Sequence, residues 1–281
     1  MTMARAIQLA GKPICITGAS SGIGRATAIA CAQAGMPVMA TARREDKLFE
    51  VVEEIRSQGG CSELCVVDVT DAGACERMIE STVERFGSIY AVFANAGYGV
   101  ERATHEMSDA ALREIFEVNF FGTLNTIRPA LPRMVEQGAG HVLLCSSCLA
   151  KFTIPYYGAY CATKAAQGHV GRAMRLELAP QGVEVSTVHP VGTRTEFTRV
   201  VNEQSDGAPI AQKTPERFMQ SPRRVAKAVV RCLRKPRAEV WTSRTTLYSA
   251  AALLAFPGLA DRLGRSLGKQ RGDTTAPTKP V

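Results

Sequence analysis

Seven short runs of β-branched and apolar residues alternate with longer stretches of helical period, and few folds can accommodate that rhythm. The runs are Pro13 to Thr17, Pro37 to Thr41, Glu63 to Val69, Ile89 to Ala94, His141 to Ser146, Val183 to His189 and Ala238 to Thr242. Helical patterns fall between them, near residues 22–34, 44–58, 71–86, 108–135, 157–179 and 222–234. Several runs, VVDV and HVLLC among them, are apolar on both faces, as strands covered by helices on both sides must be. Repeated βα units joined by right-handed crossovers predict an α/β fold, an open, doubly wound, mostly seven-stranded parallel sheet. In such sheets ligands bind beyond the carboxyl ends of the strands, so the chemistry is expected there.

The 281 residues, 46% of them hydrophobic, suffice to cover such a sheet as one domain, residues 1–281. Two segments break the rhythm. Residues from about 191 to 220 are polar, with little period, and read as an excursion over the active site, a substrate lid. From Ser221 onward the chain carries 13 Lys and Arg against 3 Asp and Glu, so a net +10 of the overall +8 lies there and the rest is slightly acidic. This basic segment, with its extension at about 245–281, is either a set of solvated helix faces with a frayed tail or a contact for an anionic membrane surface or an acidic partner.

Leu247 to Ala260 is too short for a bilayer span of about 20 residues and is interrupted by Pro257-Gly258. The first residues lack an apolar run of signal-peptide length, and nine scattered cysteines suit reduced thiols better than a disulfide framework, so a cytoplasmic location is expected. Cys145 and Cys148 spell CxxC without a second half, so no metal site is expected. No nucleic-acid partner is expected either.

Directly after the first predicted strand stands Thr17-Gly18-Ala19-Ser20-Ser21-Gly22-Ile23-Gly24, and a helical pattern follows. Glycines at a strand-to-helix turn let the backbone approach a pyrophosphate, and the helix N-terminus presents free N–H groups to it. Farther on, Tyr160 and Lys164 are four apart in a helical pattern, which puts a phenol and an ammonium on one face. A free tyrosine titrates near pH 10, and an adjacent cation lowers that value, so the spacing suits a proton donor tuned toward neutrality.

With these motifs in hand, the chain resembles the single-domain short-chain dehydrogenase/reductases over about residues 12 to 200, with TGxxxGxG at Thr17 to Gly24 and YxxxK at Tyr160 to Lys164. The resemblance implies a Rossmann-like fold and a nicotinamide dinucleotide held by Gly18, Ser20, Ser21, Gly22, Ile23 and Gly24. Asp68 and Val69 match the acidic position near the adenine, and Asn95, Ala96 and Gly97 match the NAG wall beside the glycine turn. Asn119, Ser147, Tyr160 and Lys164 fall on the catalytic positions. By the resemblance Tyr160 passes a proton to the carbonyl oxygen, Lys164 also holds the nicotinamide ribose, Ser147 bonds the substrate oxygen, and Asn119 holds a water relaying protons toward Lys164. Pro190 and Thr195 match a cofactor-contacting turn, but Val191 stands where the family has glycine, so that turn is expected to differ.

The second predicted strand ends Ala42-Arg43-Arg44 with no acid at its tip. A 2′-phosphate calls for arginine where a free ribose calls for a carboxylate, so Arg43, helped by Arg44 or Arg25, points to NADP(H). The competing reading pairs Arg43 with Glu45 and Asp46. Phe152, Tyr156, Tyr157, Phe197 and Phe218 suggest an apolar pocket for a ketone, aldehyde or secondary alcohol, each also explicable as core packing. The expected activity is NADP(H)-dependent interconversion of carbonyl and alcohol on a hydrophobic small molecule. The alternatives are an NADP-binding regulator or a membrane-recruited interaction protein with little turnover. The family commonly pairs through its long helices, here near 108–135 and 157–179, so a homodimer or homotetramer is implied.

Overall fold

The structure, a computed structural model, describes residues 6–204 and 219–272. Seven strands, β1 (Ile14–Thr17), β2 (Val38–Ala42), β3 (Ser62–Val66), β4 (Ala91–Ala94), β5 (Gly140–Cys145), β6 (Val183–His189) and β7 (Glu239–Trp241), form one sheet. All neighbours are parallel, in the order β3-β2-β1-β4-β5-β6-β7. The chain starts in the middle, runs outward to β3, then crosses back to β4 and fills the other half. That reversal between β1 and β4 opens a crevice at their carboxyl ends.

Alternation along the strands builds two cores. Ile14 and Ile16 point to one face, packed with residues of α1 (Gly22–Gln33), α2 (Glu45–Ser57) and α9 (Pro222–Arg234). Cys15 between them joins the other face, with Met78 and Ile79 of α3 (Ala72–Phe86) and Ile127 of α5 (Gly122–Ile127). All seven predicted strands are present, and six predicted helical stretches hold helices.

The stretch expected near 108–135 is not one helix. It comprises α4 (Asp109–Phe116), a π turn (Glu117–Phe121), α5, a 3-10 turn (Arg128–Ala130) and α6 (Leu131–Glu136). Pro129 and Pro132 supply no N–H to the helical ladder, which accounts for the tightened segment around them. The π turn has another cause, a side chain inserted from α7 (Gly158–Leu178), described below.

Three helices have no range in the sequence pattern above: α8 (Phe197–Gln204) within the predicted lid, and α10 (Arg244–Ala255) and α11 (Pro257–Gly272) in the basic extension, where helix faces were one of the readings. Pro257 begins α11, where its missing N–H has no ladder partner to lose. Among the described residues no helix is long and apolar enough to cross a membrane. The middle of the predicted lid, Phe218 and the predicted frayed tail lie outside the described residues.

Candidate active site

The glycine turn joins β1 to α1. Gly18 and Gly22 have φ of +66° and +56°, which side chains disfavour. Gly24 needs its bare Cα for another reason: a Cβ there would lie 2.2 Å from the main-chain oxygen of Gly18 and 2.7 Å from Asn95 Nδ2. The end of β4 is stitched onto this turn. Asn95 N and Ala96 N donate to Thr17 Oγ1 at 3.1 and 3.2 Å, and Asn95 Nδ2 donates to the Thr17 carbonyl at 3.0 Å. Ser21 enters α1 in extended conformation and its side chain forms no cap, so the first-turn N–H groups face the crevice, not a capping hydroxyl. A turn with two left-handed glycines and an uncapped helix start fits the pyrophosphate of a dinucleotide.

The arginines past β2 are not equivalent. Arg44 Nη2 donates to Glu196 Oε2 at 2.8 Å and to Ser20 Oγ at 3.2 Å, tying the glycine turn to the segment after β6. The first of these hydrogen bonds, joined by the charge of the guanidinium, holds the Glu196 carboxyl below its ordinary range. Arg25 is bonded to Glu54 of α2. Arg43 is 76% exposed, and its ion pair is with Asp68 at 3.8 Å, not with Glu45 or Asp46 as the competing sequence reading had it. Asp68 also accepts from Thr70 N and Oγ1, at 3.0 and 2.8 Å, while Val69 is buried beside it.

Tyr160 and Lys164 lie in the first turns of α7, both buried. Lys164 Nζ sits 5.6 Å from the centre of the Tyr160 ring and donates to the main-chain oxygen of Cys145 at 2.9 Å. Burial dominates both groups: it pushes the Tyr160 phenol well above its ordinary value, with a hydrogen bond to Ser147 acting the other way, and it lowers the Lys164 ammonium to about 8. Loss of water is the largest influence on each of the two groups, and the lysine lies against the face of the phenol ring.

Ser147 follows β5, its Oγ accepting from Leu149 N at 3.1 Å. Its main-chain oxygen lies 2.9 Å from His189 Nδ1, which places that ring's proton on Nδ1. His189 in turn stacks on Trp241 with ring centres 4.7 Å apart. Neighbouring Ser146 spends its hydroxyl on the main-chain oxygen of Lys164 at 2.8 Å.

Asn119 sits in the π turn, fully buried. Its Oδ1 accepts from Tyr98 N at 2.9 Å, and its Nδ2 donates to Tyr98 O at 2.9 Å and Thr163 Oγ1 at 3.1 Å. The Asn119 carbonyl accepts from Gln167 Nε2 of α7 at 2.6 Å and from Thr123 Oγ1 at 2.8 Å. That insertion accounts for the local widening of the helix. Asn119 therefore braces the wall between β4 and α7.

One cavity of about 610 Å³ is lined by Ser147, Tyr160 and Lys164 and by the expected cofactor-binding residues except Gly24, which packs under the turn; Asn119 and Arg25 do not line it. Its far end is apolar. The Tyr160 ring is flanked by Phe197 at 5.6 Å and by Tyr157 at 6.2 Å between centres, with Leu149, Ile154 and Met219 completing the wall. Tyr157 donates its hydroxyl to buried Glu101 at 3.0 Å, so its ring faces the cavity and its oxygen is occupied. Phe152 and Tyr156 do not line the cavity.

The turn after β6 needs no left-handed residue at Val191 or Gly192. Gln220 holds it instead: its backbone pairs with Gly192 O and Arg194 N, and its Nε2 donates to Thr242 Oγ1 at 2.8 Å and Thr193 Oγ1 at 3.2 Å. Pro190 accepts from Cys148 N at 3.0 Å. Thr195 packs against Gly22, and its Oγ1 accepts from Phe197 N at 3.2 Å, starting α8. Gln220, His189, Glu196 and Gln167 escaped the sequence reading, since each acts through a partner distant in the chain.

A family model described as short chain dehydrogenase matches residues 12–206. An A-factor type gamma-butyrolactone 1′-reductase (1S-forming) of Streptomyces virginiae is 34% identical over 217 residues, covering 76% of this chain and 84% of the relative. An alcohol dehydrogenase from the archaeon Thermococcus sibiricus, complexed with 5-hydroxy-NADP, superposes with a TM-score of 0.71 at 31% identity, covering 82% of this chain and 95% of that one. A short-chain dehydrogenase/reductase from Burkholderia phymatum in complex with NAD gives 0.80 at 23% identity, over 98% of this chain and 99% of that one, a likeness of fold. With its glycine turn, its seven parallel strands and the matched span, this chain belongs to the short-chain dehydrogenase/reductase family of oxidoreductases.

Proposed function

We propose that the protein is an NADP(H)-dependent oxidoreductase that interconverts a carbonyl and an alcohol on a hydrophobic small molecule, with Tyr160 as the proton donor. The observation that carries this reading is the shared cavity: Tyr160, Ser147 and Lys164 line the same space as the glycine turn, with an apolar wall on the far side. Bound there, the nicotinamide would supply the hydride for reduction or accept it in the reverse direction.

The residues' own chemistry suits reduction. Burial keeps the Tyr160 phenol protonated, so it carries a proton that is released only when strong negative charge develops on a neighbouring oxygen. Ser147 is positioned to bond that same oxygen, its backbone fixed by His189. Lys164, at the edge of neutrality, would place its charge where the phenolate forms and bond the ribose. Gly18, Ser20, Ser21, Gly22, Ile23 and Gly24 would cradle the pyrophosphate, Asp68 and Val69 the adenine, and Asn95, Ala96, Gly97, Pro190 and Thr195 the remaining walls.

The coenzyme preference rests on Arg43. With Arg44 engaged by Glu196 and Arg25 by Glu54, the exposed guanidinium of Arg43 is the cation beside the end of β2 that can turn onto a 2′-phosphate. The apolar wall of Leu149, Ile154, Tyr157, Phe197 and Met219 supports a hydrophobic substrate. Exposed Phe121 and Leu176, on the two elements through which the family pairs, support a homodimer or homotetramer. The thiols, free in all nine cysteines, suit a reducing compartment, and we place the enzyme in the cytoplasm.

A panel of apolar ketones, aldehydes and secondary alcohols, followed by the absorbance of the reduced nicotinamide, tests the reading. It predicts NADPH consumption with at least one apolar carbonyl compound and a slower rate with NADH. Turnover confined to polar substrates, or faster with NADH, would overturn the corresponding part.

A further inference from the structure

Among the described residues nine large apolar side chains are exposed, and five of them, Tyr248, Leu254, Phe256, Leu259 and Leu263, fall within sixteen consecutive positions on α10, α11 and the residue that joins them, Phe256. Isolated exposed apolar residues are ordinary, but a cluster on two consecutive helices marks an interaction surface. Leu259 and Leu263 are one turn apart and share a face of α11, while exposed Arg262 and Arg265 run beside them. Asp261 is the one acidic residue in α10 and α11, within a segment that carries +10 from Ser221 onward.

An apolar stripe flanked by cations is the pattern of a helix that lies in a membrane interface. The charge also chooses between occupants. A second copy docked by two-fold symmetry would bring the same arginines against one another, whereas anionic headgroups would neutralise them. We propose that α10 and α11 dock the protein on anionic lipid bilayers. Ala250, the buried residue of α10, anchors that helix to the body, where α10 packs against the 3-10 turn Cys148–Ala150 that directly follows Ser147. Leu149 of that turn lines the cavity, so the docked helices set the apolar end of the cavity beside the bilayer.

Co-sedimentation of the full chain with vesicles of phosphatidylcholine alone, or of phosphatidylcholine mixed with phosphatidylglycerol, tests the proposal. The protein is expected to pellet with the anionic vesicles, to be released by high salt, and to stay largely in solution with the zwitterionic ones. Arg262→Ser and Arg265→Ser should each weaken binding about fivefold, and Leu259→Ser and Leu263→Ser about tenfold each. NADPH binding by all four variants should match the parent, which shows that they fold. Failure to pellet with anionic vesicles, or leucine variants that bind as the parent does, would overturn the proposal. So would light scattering in which Leu263→Ser halves the mass of a species that does not bind vesicles, since the two helices would then join copies of this chain.

Discussion

Replacing Gly24 by alanine tests the cradle with a single carbon. The added Cβ would lie 2.2 Å from the Gly18 carbonyl oxygen, whereas ordinary contact begins at 3.4 Å, so turn and helix must separate by about 1 Å. Both neighbours are anchored, the Gly18 carbonyl by the rigid turn and Asn95 Nδ2 by its bond to Thr17. Overpacking of this kind costs about 1 to 3 kcal/mol, here near the top because the obstacle is backbone. The gain from alanine inside a helix, about 1 kcal/mol, offsets part of it. The net loss is about 2 kcal/mol, a fall in Tm of roughly 5 °C for a chain of this size. A separation of that size also misplaces the N–H groups facing the crevice, so NADPH affinity should fall at least about tenfold. Gly168→Ala in α7 is the control, because nothing lies within 4 Å of the Cβ it would add, and its Tm should stay level or rise. Calorimetry and a fluorescence titration with NADPH read both effects. A Gly24→Ala protein that melts and binds as the parent does would refute the close-packed turn.

Arg43→Ser should weaken NADPH binding about tenfold to a hundredfold and leave NADH nearly unchanged, as two titrations would show; equal losses would contradict the phosphate assignment. Lys164 has its folded-state value lowered to about 8 from an ordinary 10.5, so the unfolded chain binds more protons and stability rises with pH through that window. Unfolding free energies of the parent minus those of Lys164→Met should therefore rise by about 2 kcal/mol from pH 7 to pH 10, and a flat difference would mean an unperturbed lysine. Gln220→Ala removes the donor that holds the turn after β6, and should cost about 2 kcal/mol while raising KM for the coenzyme more than it lowers kcat.

What could be read from the chain, and what could not, follows the range of the forces involved. Strands such as AVFA in β4 and HVLLC in β5 announce themselves because both of their faces are buried, and the glycine turn because local backbone geometry demands it. Helix α10 hid because its Ser-Ala-Ala-Ala-Leu-Leu run has no polar and apolar period, and α8 because it is short and set in a polar stretch. The π turn depends on Gln167, far along the chain from Asn119, so no local pattern encodes it. The same holds for the division of labour among Arg25, Arg43 and Arg44, which is decided by Glu54, Asp68 and Glu196. The residue types at the site were legible; their protonation was not, because burial is a property of the assembled fold.

The central claim is that the Tyr160 hydroxyl delivers the proton, and Tyr160→Phe removes that oxygen while keeping the ring between Phe197 and Tyr157. Measuring kcat and NADPH affinity on the same preparation, the account predicts a loss of turnover of about 10² to 10⁴ with coenzyme binding within about twofold of the parent. Turnover retained within about tenfold, with the coenzyme bound as before, would contradict it.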